Sequence, residues 1–348
     1  MHHHRAPRGS SILLGVVLVV SGVLAGTTAA TAAPAAAPGA VLAAARATFG
    51  IQPSSASGTD GRSSLSYVVS PGAEVVDHVA VLNYGLRPIT VAVYAADAVN
   101  DADGAFDLAA AGTAPRDAGA WIVLGRQRVR IPGRAAAAAA PTRVIVPVTV
   151  SVPTTATPGD HAAGIVAVLA SAARNAGAAI RLEQRVGVRA FFRVGGTLRP
   201  GLAVEDLSVA YHSRLAPLAD GSATIRYVVH NTGNVKLGAT QAIDVRGWFG
   251  ADAQVARPAE VPLLLPGARL VETVTVEHVR PALRSQVTVT LTPVRGVTDT
   301  DPALHVVTAT TGFWTVPWTL VGLVLLVVAA AAAVLARRRA SGPEGEEA

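Results

Sequence analysis

Cysteine is absent from all 348 residues. That excludes a disulfide framework, thiolate-ligated zinc, iron–sulfur clusters and thiol nucleophiles. Lysine occurs once, at Lys236, so no phosphate-binding G-K-[ST] loop exists and the S-x-x-K pattern fails, because Gly233 stands three before it. No G-x-G triplet, H-E-x-x-H or G-x-S-x-G occurs anywhere. Charge is scarce, at 15% of residues against about a quarter in an ordinary soluble domain. Aromatic residues are scarce too, at 4%. What is abundant is apolar: 51% of the chain, with a mean hydropathy of +0.42.

Much of that apolar character sits at the two ends. Arg5 and Arg8 precede an uncharged run from Ile12 to Leu24, and Ala30-Thr31-Ala32 then fits the A-x-A rule for signal peptidase. Residues 1–32 therefore read as a secretory signal, which discards His2, His3 and His4. Residues 33–46 are Ala/Pro-rich and read as a stalk. At the other end, Val316–Ala336 carries no charge, and 21 residues at about 1.5 Å each can span a bilayer. Trp314 and Trp318 mark its outer rim, where amphipathic rings favour the headgroup zone. Arg337, Arg338 and Arg339 follow, so the positive-inside rule keeps residues 337–348 cytoplasmic. The expected topology is an exported ectodomain on one membrane helix. Without these ends, 24 basic and 20 acidic residues remain, a net +4 too small to argue for nucleic acid.

Between the ends the pattern is β. Val144, Val146, Val148, Val150 and Val152 alternate with other residues, as do Val287, Val289 and Leu291, Val274 and Val276, and Ile225, Tyr227 and Val229. Period-two alternation places one face on a core and the other in water. Pro71-Gly72, Asp103-Gly104, Pro158-Gly159, Asp220-Gly221 and Pro266-Gly267 separate the runs as turns. Ala135–Ala140 lies between Pro132-Gly133 and Pro141, so it reads as a loop. Trp121, Trp248, Tyr67, Tyr94 and Tyr227 adjoin apolar strand runs and read as core, with sugar stacking the functional alternative.

An internal echo divides this region. Asn83-Tyr84-Gly85 ends one strand, and Asn231-Thr232-Gly233 ends another about 150 residues later. Both suit turns, because Asn and Gly tolerate positive φ. The fold class expected is all-β: two tandem immunoglobulin-like β-sandwiches over 47–195 and 196–311, with the N-terminal signal segment and one C-terminal transmembrane helix.

The first half carries Phe49-Gly50-Ile51, Pro53, Tyr67, Pro71-Gly72, Asp77, Val79, Val81, Asn83 and Gly85, then Tyr94-Ala95 and Asp97-Ala98. Gly104, Phe106, Leu108, Trp121-Ile122, Val152-Pro153, Pro158-Gly159-Asp160-His161 and Gly164-Ile165 follow in order. This order resembles the extracellular domain of WxL-interacting proteins (DUF916) of Gram-positive bacteria, over roughly residues 47–195. The resemblance implies an immunoglobulin-like sandwich that binds peptidoglycan, a membrane anchor, and association with secreted WxL-domain proteins. A second sandwich that binds host proteins usually follows in that family, and residues 197–310 match it only in outline.

Two constellations remain. Asp97, Asn100, Asp101, Asp103, Gly104 and Asp107 suggest a calcium loop, but aligning Asp103 and Gly104 puts Val99 and Ala110 at the end positions, so a hairpin turn fits better. In Ile180–Val194, Arg181, Glu183, Arg185, Arg189 and Arg193 alternate with Leu182, Val186, Val188, Ala190 and Phe192. Alternate residues stand about 6.6 Å apart, making an arginine stripe on one sheet face. Guanidinium groups bind carboxylates and phosphates bidentately, so Arg181, Arg185, Arg189 and Arg193 are the candidate contacts to peptidoglycan or an anionic wall polymer. The alternative is a solvated strand with cross-strand ion pairs. No catalytic residue, metal site or cofactor is expected. The functional expectation is a non-catalytic cell-surface binding or scaffold protein. A protein-only accessory ectodomain of a transport or secretion assembly is the alternative.

Overall fold

The computed structural model describes residues 48–340 apart from 176–177, 215, 217–218, 248–252 and 295–302. The signal, the stalk, Trp248 and the tail beyond residue 340 lie outside the described residues.

The first sandwich is built from β1 (Phe49–Ser54), β2 (Leu65–Val69), β3 (Glu74–Asn83), β4 (Ile89–Asn100), β5 (Phe106–Leu108), β6 (Ile122–Leu124), β7 (Arg128–Ile131), β8 (Thr142–Ser151), β9 (Gly159–Asn175) and β10 (Ala178–Val194). One sheet runs β1-β3-β8-β6, and the other β2-β10-β9-β4-β5 with β7 also on β4. β1 and β2 join opposite sheets, and β2 pairs parallel to the end of β10. Val146, Val148 and Val150 are buried, as their alternation predicts, against Val79, Val81, Ile165 and Phe192.

The second sandwich comprises β11 (Leu202–His212), β12 (Gly221–Asn231), β13 (Leu237–Gly247), β14 (Gln254–Ala256), β15 (Val261–Leu264), β16 (Arg269–Val279), β17 (Leu283–Val294) and β18 (Val307–Thr315). Its sheets are β11-β12-β16 and β14-β13-β17-β18, with β15 on β13. Ile225, Tyr227, Val229, Val287, Val289 and Leu291 are fully buried between them. The chain is therefore mostly β, two immunoglobulin-like sandwiches, followed by one apolar helix. Fully burying each such valine or leucine stabilises by about 1.5–3 kcal/mol, and two cores of this kind replace the absent disulfides.

The helix, α1 (Trp318–Ala340), is shifted from the expected 316–336. Val316 and Pro317 form the entry, where the Pro317 carbonyl accepts the Val321 N–H. Arg337, Arg338 and Arg339 continue the helix, because arginine is a good helix former and cations suit the C-terminal dipole. None of its described apolar residues is buried, and it is long and apolar enough to cross a membrane.

The internal echo has a physical basis that differs from the expected one. Asn83 and Asn231 are both fully buried. Asn83 Nδ2 donates to the carbonyls of Arg87 (2.8 Å) and Pro132 (3.0 Å), and its Oδ1 accepts the Gly85 N–H at 2.8 Å. Asn231 Nδ2 donates to Val235 (2.8 Å) and Leu264 (3.0 Å), and its Oδ1 accepts the Gly233 N–H at 3.1 Å. Each amide ties its own turn to a neighbouring strand. Neither glycine has positive φ. Gly233 is needed for close approach: a Cβ there would lie 2.3 Å from the Arg199 carbonyl oxygen. A Cβ on Gly85 would press the Asn83 oxygen at 3.2 Å.

Replacing Asn231 by Ala strands two buried carbonyls and an N–H. A loss of about 3 kcal/mol is expected, read as a lower urea midpoint with an unchanged slope. Asn83→Ala should cost a similar amount.

Candidate functional site

The candidate site is the outward face of the β2-β10-β9-β4-β5 sheet. β9 and β10 are paired along their full length, from Gly159↔Val194 to Asn175↔Ala178. In this register Arg185 lies opposite Val168, Arg189 opposite Gly164 and Arg193 opposite Asp160. Arg181 lies on the same strand opposite Ala172, and its side chain is outside the described residues. On the next strand Tyr94 lies opposite Val166 and Ala96 opposite Gly164. Arginines, a tyrosine and small residues thus share one face.

That face is not bare. The β4–β5 hairpin folds Leu108 over it, making a small apolar cluster with Tyr94, Ala96, Val166 and Val168. Glycine is required beneath: a Cβ on Gly164 would lie 2.5 Å from Leu108 Cδ1. Tyr94, expected in the core, instead lies on this outer face because it shares the parity of Val166 and Ala96. Trp121 does pack in the core, against Phe192.

Around this cluster, cations lie on rings. The Arg189 guanidinium is 5.3 Å from the Phe106 ring centroid and that of Arg185 is 6.0 Å from Tyr94. Lys236 Nζ sits 4.1 Å above Phe191, which meets Phe106 edge-on at 5.7 Å. Arg185 Nη2 also donates to the Ala109 carbonyl at 3.1 Å. Arg185 and Arg189 are exposed, and among the described residues no carboxylate lies within ion-pair distance of either.

Arg193 has a different situation. Its Nε and Nη2 grip Asp160 at 2.7 and 2.8 Å, with side chains only 15% and 5% exposed. Asp160 Oδ2 also accepts the backbone N–H of Lys236 at 3.0 Å, and the Asp160 N–H donates to the Asn234 carbonyl at 2.7 Å. The pair therefore sits on the seam between the sandwiches. Gly159 has φ +130°, and a Cβ there would lie 2.3 Å from Asn234 O. Pro158 contributes its carbonyl, which accepts Asn234 Nδ2 at 2.8 Å.

The acidic cluster is consumed by turns. The Asp97 carboxylate accepts backbone N–H groups of Arg116, Asp117 and Gly119 at 2.6–3.2 Å. Asp101 Oδ1 accepts those of Asp103 and Ala105. Gly104, with φ +76°, closes the hairpin. Asn100 reaches the second sandwich: Nδ2 donates to Leu263 O at 3.0 Å and Oδ1 accepts the Leu265 N–H at 2.8 Å. Among the described residues no three His, Asp or Glu side chains converge as a metal site.

Beside the seam, His161 Nδ1 bonds Asp117 at 2.8 Å, Nε2 bonds the Thr157 carbonyl at 2.9 Å, and its ring lies 4.8 Å from Trp121. Burial disfavours the imidazolium. The Asp117 carboxylate and Thr157 carbonyl outweigh that and hold its pKa above the ordinary 6.5.

Phe191 and Asn234 were not singled out by the sequence, and Asp160, Phe106, Asn100 and Lys236 were noted there for other reasons than the contacts they make. One signal was available: Phe191 is the aromatic that breaks the charged parity of the stripe.

No family model matches the chain, and no curated protein matches it. Solved structures do resemble it distantly. A chaperone–tip adhesin complex of CFA/I fimbriae aligns at 11% identity and TM-score 0.39, covering 78% of this chain and all of that one. The class 5 fimbriae chaperone CfaA aligns at 11% identity and TM-score 0.36 with the same coverage. A PapD-like domain of human CEP192 aligns at 11% identity and TM-score 0.23, covering 43% of this chain and 84% of that one.

Two outcomes are expected. Asp160→Ala leaves the Arg193 guanidinium partly buried without its carboxylate and should cost about 3 kcal/mol in urea unfolding. His161, with its raised folded pKa, contributes stability in full below pH about 6.5, and that contribution is lost as pH rises through the folded value. His161→Gln should flatten this slope, as measured by thermal melts from pH 5 to 9.

Proposed function

We propose that this protein is a non-catalytic, membrane-anchored surface module whose first sandwich binds an acidic cell-wall polymer. The carrying observation is the pair of exposed guanidinium groups, Arg185 and Arg189, laid on aromatic rings with no carboxylate partner among the described residues. A nearby ring face leaves guanidinium N–H groups available for a carboxylate or phosphate, and Arg185 spends one Nη2 N–H on the Ala109 carbonyl. Phe106 and Phe191 add apolar surface of the kind on which sugar rings stack. Peptidoglycan offers both chemistries, a glycan and free peptide carboxylates. The resemblance to WxL-interacting proteins supports the same ligand and adds WxL-domain-like surface proteins as partners. α1 supplies the anchor, with the sandwiches outside and Arg337–Arg339 inside.

A second reading rests on the edge of β10. Only Ala190–Val194 of this strand pair with β2, so Ala178–Arg189 presents backbone groups with no second strand among the described residues. Such an edge can take an added strand from a partner protein.

Full-length protein in detergent should sediment with purified peptidoglycan. Arg185→Gln/Arg189→Gln should weaken that binding roughly tenfold or more, since each charge-assisted hydrogen bond contributes about 1.5–3 kcal/mol. Added salt should weaken it as well. Unchanged sedimentation of the double variant would sink the polymer reading and leave the strand edge as the better one.

A further inference from the structure

A second group of cations near an aromatic ring lies on β17 and β18, where the second sandwich leads into α1. In β17 the even residues face outward: Arg284 pairs with Trp314, Gln286 with both Gly312 and Arg246. Arg246, Gly247, Arg284, Ser285, Gln286 and Gly312 line a cleft of about 350 Å³. The Arg284 guanidinium lies 5.9 Å from the Trp314 ring. Gly312 keeps the floor open, since a Cβ there would stand 3.4 Å from Arg284 Nε and Nη2. The acidic side chain nearest in register is Asp244, one row up opposite Thr288, 3.6 Å from Arg246 Nη2.

The rim of this cleft is apolar and exposed. Trp314 is 68% exposed and Trp318 70%. Leu283 is also exposed and holds φ +62°, while Arg284 N–H donates across it to the Ala282 carbonyl at 2.7 Å. Positive φ at a leucine is strained, and here it accompanies an apolar side chain turned outward next to the cleft.

Chain length fixes where this patch sits. Only Val316 and Pro317 separate the end of β18 from α1. Four Cα steps of at most about 3.6 Å put Trp314 within about 14 Å of the first helical residue. The headgroup layer is roughly 5–8 Å thick on each side of the hydrocarbon, and the Debye length adds about 8 Å. With α1 in a bilayer, Trp314 and its pairing partner Arg284 are held close to the zone where lipid phosphates are concentrated, and Arg246 lies on the next strand from Arg284.

We propose that this cleft takes the phosphate of an anionic phospholipid in the outer leaflet, docking the second sandwich onto the membrane. Arg246 and Arg284 supply the guanidinium forks and Gln286 an amide donor. Trp314, Trp318 and Leu283 enter the interface beside them. The proposal rests on the reading of α1 as a membrane anchor.

The absence of cysteine makes the test direct. A single Thr310→Cys, two residues above Gly312 on the same face, carries an environment-sensitive fluorophore in the full chain in lipid nanodiscs. Aqueous iodide quenching is compared between phosphatidylcholine discs and discs containing phosphatidylglycerol. Protection is expected with phosphatidylglycerol only. Arg246→Gln/Arg284→Gln should abolish it, lowering the docked-to-free ratio by about fivefold per arginine. Arg246→Lys/Arg284→Lys should restore much of it. A probe at Val68→Cys, in the first sandwich, should report equal quenching in both lipids. Equal protection at position 310 in both lipids, or protection surviving the double Gln variant, would overturn the proposal. So would the same protection from millimolar inorganic phosphate in phosphatidylcholine discs. If the chain fails to enter discs at all, the anchor reading fails instead, and that is scored separately by co-elution.

Discussion

The buried carboxylate of Asp160 is the interaction on which the rest depends. It sits at the start of β9, takes both nitrogens of the Arg193 fork, and accepts the Lys236 N–H from the second sandwich. A carboxylate removed from water is costly unless paired and hydrogen-bonded, and here it is both. One residue therefore fixes the β9–β10 register at its root and joins the two sandwiches. Asn234 and Asn100 add polar bonds on either side, and glycine at 159 lets the backbones meet. Arg185 and Arg189 share the parity of Arg193 along β10, opposite to the buried Val188, Ala190 and Phe192.

The core was legible in the sequence because its signal is local. The alternation of Val144–Val152 and Val287–Leu291 reads directly as buried and exposed faces. The echo of Asn83 and Asn231 was visible too, although its cause lies in side-chain bonds to other strands rather than in backbone φ. The site was legible only in part. The parity of the arginines was readable along one strand. That Arg193 belongs to a seam required knowing that Asp160 stands opposite it, which is a matter of pairing between strands. Tyr94 looked like core because it adjoins an apolar run. Its true place follows from Leu108 folding over the outside of the sheet, and no pattern within one strand announces that. The cation on Phe191 comes from Lys236, in the other sandwich, and was equally out of reach.

Scarcity of charge gives the remaining charges their meaning. Carboxylates are few, and among the described residues several are already committed: Asp97 and Asp101 to turns, Asp77 to Arg62 and Tyr67, Asp160 to the seam. The Asp77 carboxylate is disfavoured by burial, yet its bonds to Arg62 and Tyr67 hold it below the ordinary carboxylate range. Three arginines instead lie near aromatic rings, Arg185 and Arg189 on the outer face of the first sandwich and Arg284 on the second sandwich close to α1. On the reading proposed here, the first two meet the wall and the third the lipid, and the seam holds them apart.

That arrangement requires the sandwiches to move as one body. The most direct measurement is the distance distribution between spin labels in the two sandwiches, on cysteines replacing the exposed Val76 and Val294, by double electron–electron resonance. The account predicts one narrow distance in the native sequence and a broadened distribution in Asp160→Ala. A broad distribution in the native sequence, or one that Asp160→Ala leaves unchanged, would contradict it.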